Sequence, residues 1–248
     1  MKITKEHVRK EFGSKGAQKL YVRLAGNGLW KSEEELIKKY FKKGSKILDV
    51  GCGTGRTTMP LSKMGYKIIG VDITPEMIKN AKKIAKSKNI NIDYRIGDET
   101  NLKFKDNEFD CVLFSNQGWT MIPETQVRLK ALNEIKRVLK KNGIFIFSSN
   151  RRVWNFEWFL FLSYMWFRFY VLKKLGFKIW EESFGDRLFK KESSNKDEEY
   201  DTKQYIHISS EEEIRKELNK SGFEILFVGS SLGKQLNAKP MFFVVKKK

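Results

Sequence analysis

The run Leu48-Asp49-Val50-Gly51-Cys52-Gly53-Thr54-Gly55-Arg56 carries an apolar stretch into a turn built on alternate glycines. Glycine in such a turn takes positive φ and removes the Cβ atoms that would hold a ligand away from the backbone. Dinucleotide-binding turns are spaced Gly-x-Gly-x-x-Gly. Here the spacing is Gly-x-Gly-x-Gly, with Arg56 where the third dinucleotide glycine would stand. Asp49 precedes the turn. A carboxylate suits a pyrophosphate poorly, but it can face the amino group of a methionine-type zwitterion, directly or through water. The pattern therefore favours S-adenosylmethionine, held by Asp49, Gly51, Cys52, Gly53 and Gly55.

More acids follow at the ends of later apolar runs. Asp72, in Val71-Asp72-Ile73-Thr74-Pro75, can accept both ribose hydroxyls. Thr74 and Pro75 supply the cap and first position of the next helix, so Asp72 is expected to be free for a ligand, with Ile73 and Met77 beside it. In Gly97-Asp98-Glu99-Thr100, Asp98 can receive the adenine amino hydrogens between Gly97 and Glu99; a plain turn aspartate is the other reading. The segment Phe114-Ser115-Asn116-Gln117-Gly118-Trp119 is expected to pass the sulfonium, with Ser115, Asn116 and Gln117 on the cofactor side and Trp119 toward the acceptor.

These stretches, with Asn107-Glu108-Phe109-Asp110 and Ile135-Lys136-Arg137-Val138-Leu139-Lys140-Lys141-Asn142-Gly143, resemble the class I S-adenosylmethionine-dependent methyltransferases of small-molecule type. The likeness spans about Trp30 to Ser149. It implies a seven-stranded fold, a hairpin-like final strand near Met241 to Lys246, and in-line methyl transfer to an O or N atom of a small, lipophilic or anionic acceptor, with no metal. Asn142 replaces the usual first glycine of a Gly-Gly pair, and Asn also tolerates the left-handed conformation. The Asn-Pro-Pro-Tyr of many base-directed amino-methyltransferases is missing after Phe114. His207, in Gln204-Tyr205-Ile206-His207-Ile208-Ser209, is expected near a pocket rim in this fold. It is read either as a general base or as a structural or rim histidine.

Apolar spacing and cap signals predict the elements that must position these groups. Helices are expected near Glu33 to Phe41, Thr57 to Met64, Pro75 to Lys86 and Thr125 to Leu139. Strands are expected at Lys46 to Val50, Lys67 to Val71, Ile92 to Ile96, Cys111 to Phe114 and Ile144 to Phe147. This alternation predicts an α/β, Rossmann-like, mainly parallel sheet with helices on both faces and ligands at the strands' carboxyl ends. A single domain is expected over 1–248: a helical cap at 1–44, the cofactor-binding core at 45–150, a lid insertion between strands five and six at 151–205, and a C-terminal helix and strands at 206–248.

The insertion holds an aromatic run from Val153 to Leu172, including Trp154 and Trp158, which are read as substrate contacts. Glu157 and Arg168 argue against a membrane span, and with Tyr164 they form one polar stripe on a helix. A lid over a hydrophobic pocket is the preferred reading, beside an interfacial membrane anchor and a dimer contact. Asp186 and Arg187 either orient a polar acceptor or pair with each other.

Forty-nine Lys and Arg against 30 Asp and Glu give a net charge of +19. The lysines are scattered, which reads as a solvated surface before a nucleic-acid patch; an RNA (tRNA) methyltransferase is the alternative function. Two cysteines and an N-terminus without a secretory signal predict a cytoplasmic protein.

Overall fold

Alternating β-branched runs and amphipathic helices assemble into a seven-stranded sheet in this computed structural model, which describes residues 3–150, 152, 156–190, 203–230 and 240–248. The central unit comprises β1 (Lys46–Val50), α4 (Thr58–Lys63), β2 (Lys67–Asp72), α5 (Pro75–Ser87), β3 (Asp93–Ile96), β4 (Phe109–Phe114), α6 (Thr125–Val138) and β5 (Leu139–Ser149). Ahead of it stand α1 (Lys5–Gly13), α2 (Lys15–Leu24) and α3 (Lys31–Tyr40). After it come α7 (Phe156–Trp166), β6 (Asp186–Phe189), β7 (Gln204–His207), α8 (Glu211–Lys220), β8 (Phe223–Gly229) and β9 (Met241–Lys247).

The sheet order is β3-β2-β1-β4-β5-β9-β8, and only β9 runs antiparallel to its neighbours. The order reverses between β1 and β4, so their carboxyl ends flank a crevice where an open α/β sheet binds ligands. The expected seven strands and the antiparallel final strand are both present. Strand β5 begins earlier than predicted, at Leu139, because Asn142 takes φ 62° and lets the chain continue in extended pairing past a turn-like residue.

Buried aromatics clamp the middle of the sheet. Phe147 on β5 pairs across the ladder with Phe243 on β9, ring centroids 5.0 Å apart and nearly parallel. Phe145 stacks on Phe147 at 4.8 Å, and Trp119 leans on the same ring at 5.0 Å. Trp119 is fully buried in this cluster. Burial of a large aromatic side chain contributes a few kcal/mol, so this stack anchors the segment that follows β4.

The N-terminal helices roof the carboxyl edge of the sheet and are tied to it by polar contacts. The buried Glu11 on α1 accepts hydrogen bonds from Gln204 Nε2 (2.8 Å) and the Tyr205 backbone N–H (3.1 Å) on β7. Thr54 Oγ1 donates to the Tyr21 carbonyl at 2.6 Å, fixing α2 over the glycine turn. At the far end, Ser210 and Glu213 form a capping box at the start of α8, and the buried pair Arg128–Glu217 (2.8 Å) joins α6 to α8.

The Phe147→Ala exchange is expected to destabilise the chain by about 3–5 kcal/mol, because it opens a cavity among three rings. Urea unfolding monitored by circular dichroism measures it.

Candidate active site

The crevice between β1 and β4 opens into a cleft of about 780 Å³, its open mouth included. Its floor is the turn after β1. Gly51, at φ 61°, lies under the Phe114 ring, where an added Cβ would come within 2.7 Å of the ring edge. Gly55, at φ 91°, is closed off from the other side: a Cβ there would sit 2.4 Å from the Tyr94 hydroxyl. Gly51 and Gly53 therefore face the cleft, whereas Gly55 and Cys52 face the interior. Cys52 packs with Ile78, Ala81, Ala85 and Tyr94 rather than against a ligand. Sequence reasoning placed all four on the cofactor; Gly51 and Gly53 line the cleft, and Cys52 and Gly55 do not.

Asp72 lines the cleft at the end of β2, but it is not free in the sense expected. Its Oδ2 accepts from Gly53 N–H at 2.9 Å and its Oδ1 from Thr74 N–H at 2.8 Å, so it braces the glycine turn and the start of α5 while still facing the cleft. Burial pushes its carboxyl above the ordinary range, against the pull of those two amides. Ile73, Met77 and Gly97 line the cleft beside it.

Asp98 points elsewhere. Its Oδ1 accepts from Lys5 Nζ at 2.6 Å and from Thr100 N–H at 2.7 Å, and its carboxylate takes no part in the cleft lining. Burial opposes its ionisation, but Lys5 and Thr100 outweigh that and hold it below the ordinary range. Its neighbour Glu99 is the acid that faces the cleft, and burial pushes it up to about 7 despite Lys5 at 3.8 Å.

Asp49 lies behind the turn. Its Oδ2 accepts from Thr57 Oγ1, while its Oδ1 is buried without a hydrogen-bond partner. Burial raises this carboxyl to about 7. Beside it runs a network that sequence reasoning missed. Arg56 donates to both Glu33 oxygens, at 2.8 and 2.7 Å, and stacks over the Trp30 ring at 4.4 Å. Ser115 Oγ joins the same carboxylate. The Glu33-to-Arg56 separation gave no local signal, because the two come together only when α3 docks against the turn.

Ser115 and Asn116 line the cleft, but Gln117 does not. Asn116 and Gln117 take φ 51° and 60°, and the Gln117 N–H donates to Ser148 Oγ at 2.8 Å, so this kink is tied to β5. Successive non-glycine residues at positive φ are costly and must be held by their surroundings. The remaining wall is apolar: Val8 and Phe12 from α1, then Met121, Ile122 and Pro123. Val8 and Phe12 stand four apart on one helix face, a spacing visible in sequence but not assigned to the site.

The structure places the remaining candidates as follows. Trp119 is fully buried in the core and reaches no acceptor. His207 is buried rather than at a rim; its Nδ1 donates to Asp186 at 2.7 Å. Burial lowers the imidazole's proton affinity more than Asp186 raises it, keeping the ring neutral. Asp186 is likewise buried, accepting from Tyr205 Oη at 2.8 Å and from the Ser183 N–H at 2.8 Å. It does not pair with Arg187, whose guanidinium lies over the Phe161 ring at 4.7 Å. Trp154 and the Trp158 side chain lie outside the described residues. Among the described residues, none from 151–205 lines the cleft, and α1 and α2 contribute Lys5, Val8, Phe12 and Tyr21 to its lining. No group of side chains suited to a metal ion occurs among the described residues.

Residues 47–143 match the family model described as a methyltransferase domain. This stretch of the chain resembles a methyltransferase domain. Over 108 residues it is 43% identical to a demethylmenaquinone methyltransferase of Staphylococcus saprophyticus, covering 42% of this chain and 44% of the relative. A ribosomal protein L11 methyltransferase of Dictyoglomus thermophilum is 34% identical over 116 residues, 46% of this chain and 35% of the relative. The chain thus matches less than half the length of these curated relatives. In fold it is similar to a SAM-dependent methyltransferase from Methanosarcina mazei, with a TM-score of 0.69 at 23% identity, covering 89% of this chain and 98% of the other.

S-adenosylmethionine is the donor that this likeness implies, and the residues present fit it. The cleft's charged lining is Asp72, Glu99 and Lys5, with Lys5 already neutralised by Asp98. Such a lining suits hydroxyls and a cationic amine, not a pyrophosphate. The orphaned Asp49 Oδ1 next to the turn adds an acceptor that a donor group or a water would satisfy.

Two outcomes are expected. Asp49 and Glu99 stand above their ordinary values in the folded chain, so it binds protons there more tightly than the unfolded chain does. Their stabilising contribution is present on the acid side and is lost as pH rises to about 7. A ligand bearing a cationic amine favours the ionised acids. The thermal shift given by adenosylhomocysteine is therefore expected to grow as pH rises toward about 7; a shift independent of pH separates these acids from the ligand. His207→Asn is expected to lower the melting temperature while leaving the pH profile of methyl transfer unchanged, and an altered profile would restore His207 to the chemistry.

Proposed function

We propose that this methyltransferase moves a methyl group by in-line displacement from S-adenosylmethionine to an O or N atom of a small, lipophilic acceptor. One observation carries the reading: the cleft combines acids on a glycine floor with a wall of Val8, Phe12, Met121, Ile122 and Pro123. The acids suit the donor's hydroxyls and amine, and the wall suits an apolar acceptor. A relative named for a quinone acceptor, demethylmenaquinone, is consistent with it.

When bound, S-adenosylmethionine supplies a methyl carbon already activated by its sulfonium. The chain's task is then to bind, align and exclude water. Asp72 and Glu99 bind the donor's polar groups; the Asn116–Gln117 kink sets the backbone beside β1. The apolar wall dries the space in which the acceptor's nucleophile lines up. Fixed placement of two reactants removes much of the entropic barrier, and desolvation strengthens the nucleophile.

The charge of +19 supports a second reading, in which RNA is the acceptor. Incubation with a tritiated methyl donor and fractionated cell extract separates the two. Label is expected in the lipid or small-metabolite fraction. Label confined to RNA establishes the second reading, and label in none overturns both. Met121→Lys, which places a charge on the apolar wall, is expected to lower kcat/KM for the labelled acceptor by about tenfold or more.

A further inference from the structure

Helix α7 is apolar on opposite faces. At about 100° per residue, Leu162 and Met165 point to one side, where both are buried. Phe156, Phe159, Leu160 and Trp166 fan across the other, where Phe156 is 95% and Leu160 80% exposed, and Tyr164 at their edge accepts from Arg168 Nη1 at 3.4 Å. A helix with one face in a core ordinarily turns polar groups to water on the other. The apolar surface continues through Phe167 and Tyr170 of the π-helical turn Phe167–Leu172, then through Leu175 and Phe177. A contiguous exposed patch of this kind marks a surface that something covers.

The surrounding charges identify the covering phase. The stretch Lys173-Lys174-Leu175-Gly176-Phe177-Lys178 is exposed throughout and alternates cations with large apolar side chains. Glu181, close in sequence, is taken up by Arg168 at 3.2 Å, which leaves Glu182 as the exposed acid beside this stretch among the described side chains. A second copy of the chain would bring these lysines against their own equivalents on a molecule of charge +19. A surface of anionic headgroups over hydrocarbon satisfies both features: the lysines meet the headgroups, and the aromatics enter the boundary below them. No helix among the described residues is long and apolar enough to cross a membrane, so α7 would lie in the plane. The seat beneath it is built: Arg187 stacks on Phe161, and Tyr170 packs on Phe184 at 5.5 Å.

We infer that α7 and the lysine-rich turn after it dock this protein onto the surface of an anionic lipid bilayer. The surface is separate from the cleft, so the inference goes beyond the proposed reaction and stands independently of the acceptor's identity.

Flotation of the full chain with phosphatidylcholine vesicles, with and without phosphatidylserine, tests it. The protein is expected to float with phosphatidylserine vesicles and to be released as salt rises. Replacing Phe156, Phe159 and Leu160 by Ser is expected to weaken binding by about tenfold or more per side chain. Exchanging Lys173, Lys174 and Lys178 for Glu is expected to reduce binding to the level seen with phosphatidylcholine alone. Adenosylhomocysteine binding and circular dichroism, measured on the same variants, confirm that they are folded and keep failure of docking distinct from failure of the cleft. The inference is overturned if the chain stays in the buffer with anionic vesicles, or if the serine variant floats like the parent. It is also overturned if the parent is a dimer without lipid that the serine changes make monomeric, since the patch then belongs to a second copy.

Discussion

Two aromatic rings hold the glycine turn from opposite sides, and the rest of the site depends on that constraint. Phe114 fills the space a side chain at Gly51 would need, and it does the same at Gly118, where a Cβ would come within 2.0 Å of the ring. Tyr94 fills the space at Gly55 and also at Gly70, 2.8 Å from its ring. The turn is therefore not a loose loop that happens to contain glycine. It is backbone pressed between β4 on one side and β3 on the other, with Asp72 pinning its middle through Gly53 N–H. A Cβ at Gly51 or Gly55 pushes a core ring, so cofactor floor and hydrophobic core share one packing problem.

That arrangement explains why the charged groups sort as they do. Burial disfavours the charged form of a carboxyl, and it raises Asp49, Asp72 and Glu99 accordingly. Cations near the turn are already engaged, Arg56 by Glu33 and Lys5 by Asp98. The chain's large positive charge thus resides on its surface, whereas the cleft itself is acidic and apolar. Bulk charge and site chemistry point in different directions, and only the latter bears on the donor.

Much of this was legible in the chain. The strand-turn-helix at Leu48 to Arg56, the strand-end acids and the βαβ order follow from local pattern, and the structure places them at one sheet edge. What was not legible arises from packing between distant segments. Nothing local says that Asp98 turns to Lys5 while Glu99 turns inward, because α1 must dock before Lys5 arrives. Trp119 looked like a pocket residue by type and position, yet Phe147 from β5 claims its ring. His207 could be read from the chain as a general base or as a structural histidine; the buried Asp186 and Tyr205 beside it make it part of a structural hydrogen-bond cluster. A helical cap was expected over 1–44, but the part of α1 that meets the cleft shows in the chain only as an i, i+4 apolar pair, Val8 and Phe12, a pattern equally suited to ordinary core packing.

The central claim is that the turn after β1 receives a nucleoside with a cationic methionine end and not a dinucleotide phosphate. Isothermal titration calorimetry of the purified chain against adenosylhomocysteine and, separately, oxidised nicotinamide dinucleotide tests this most directly. Saturable heat with a single site for adenosylhomocysteine, and none for the dinucleotide, is the predicted result; tight dinucleotide binding without an adenosylhomocysteine signal would contradict it.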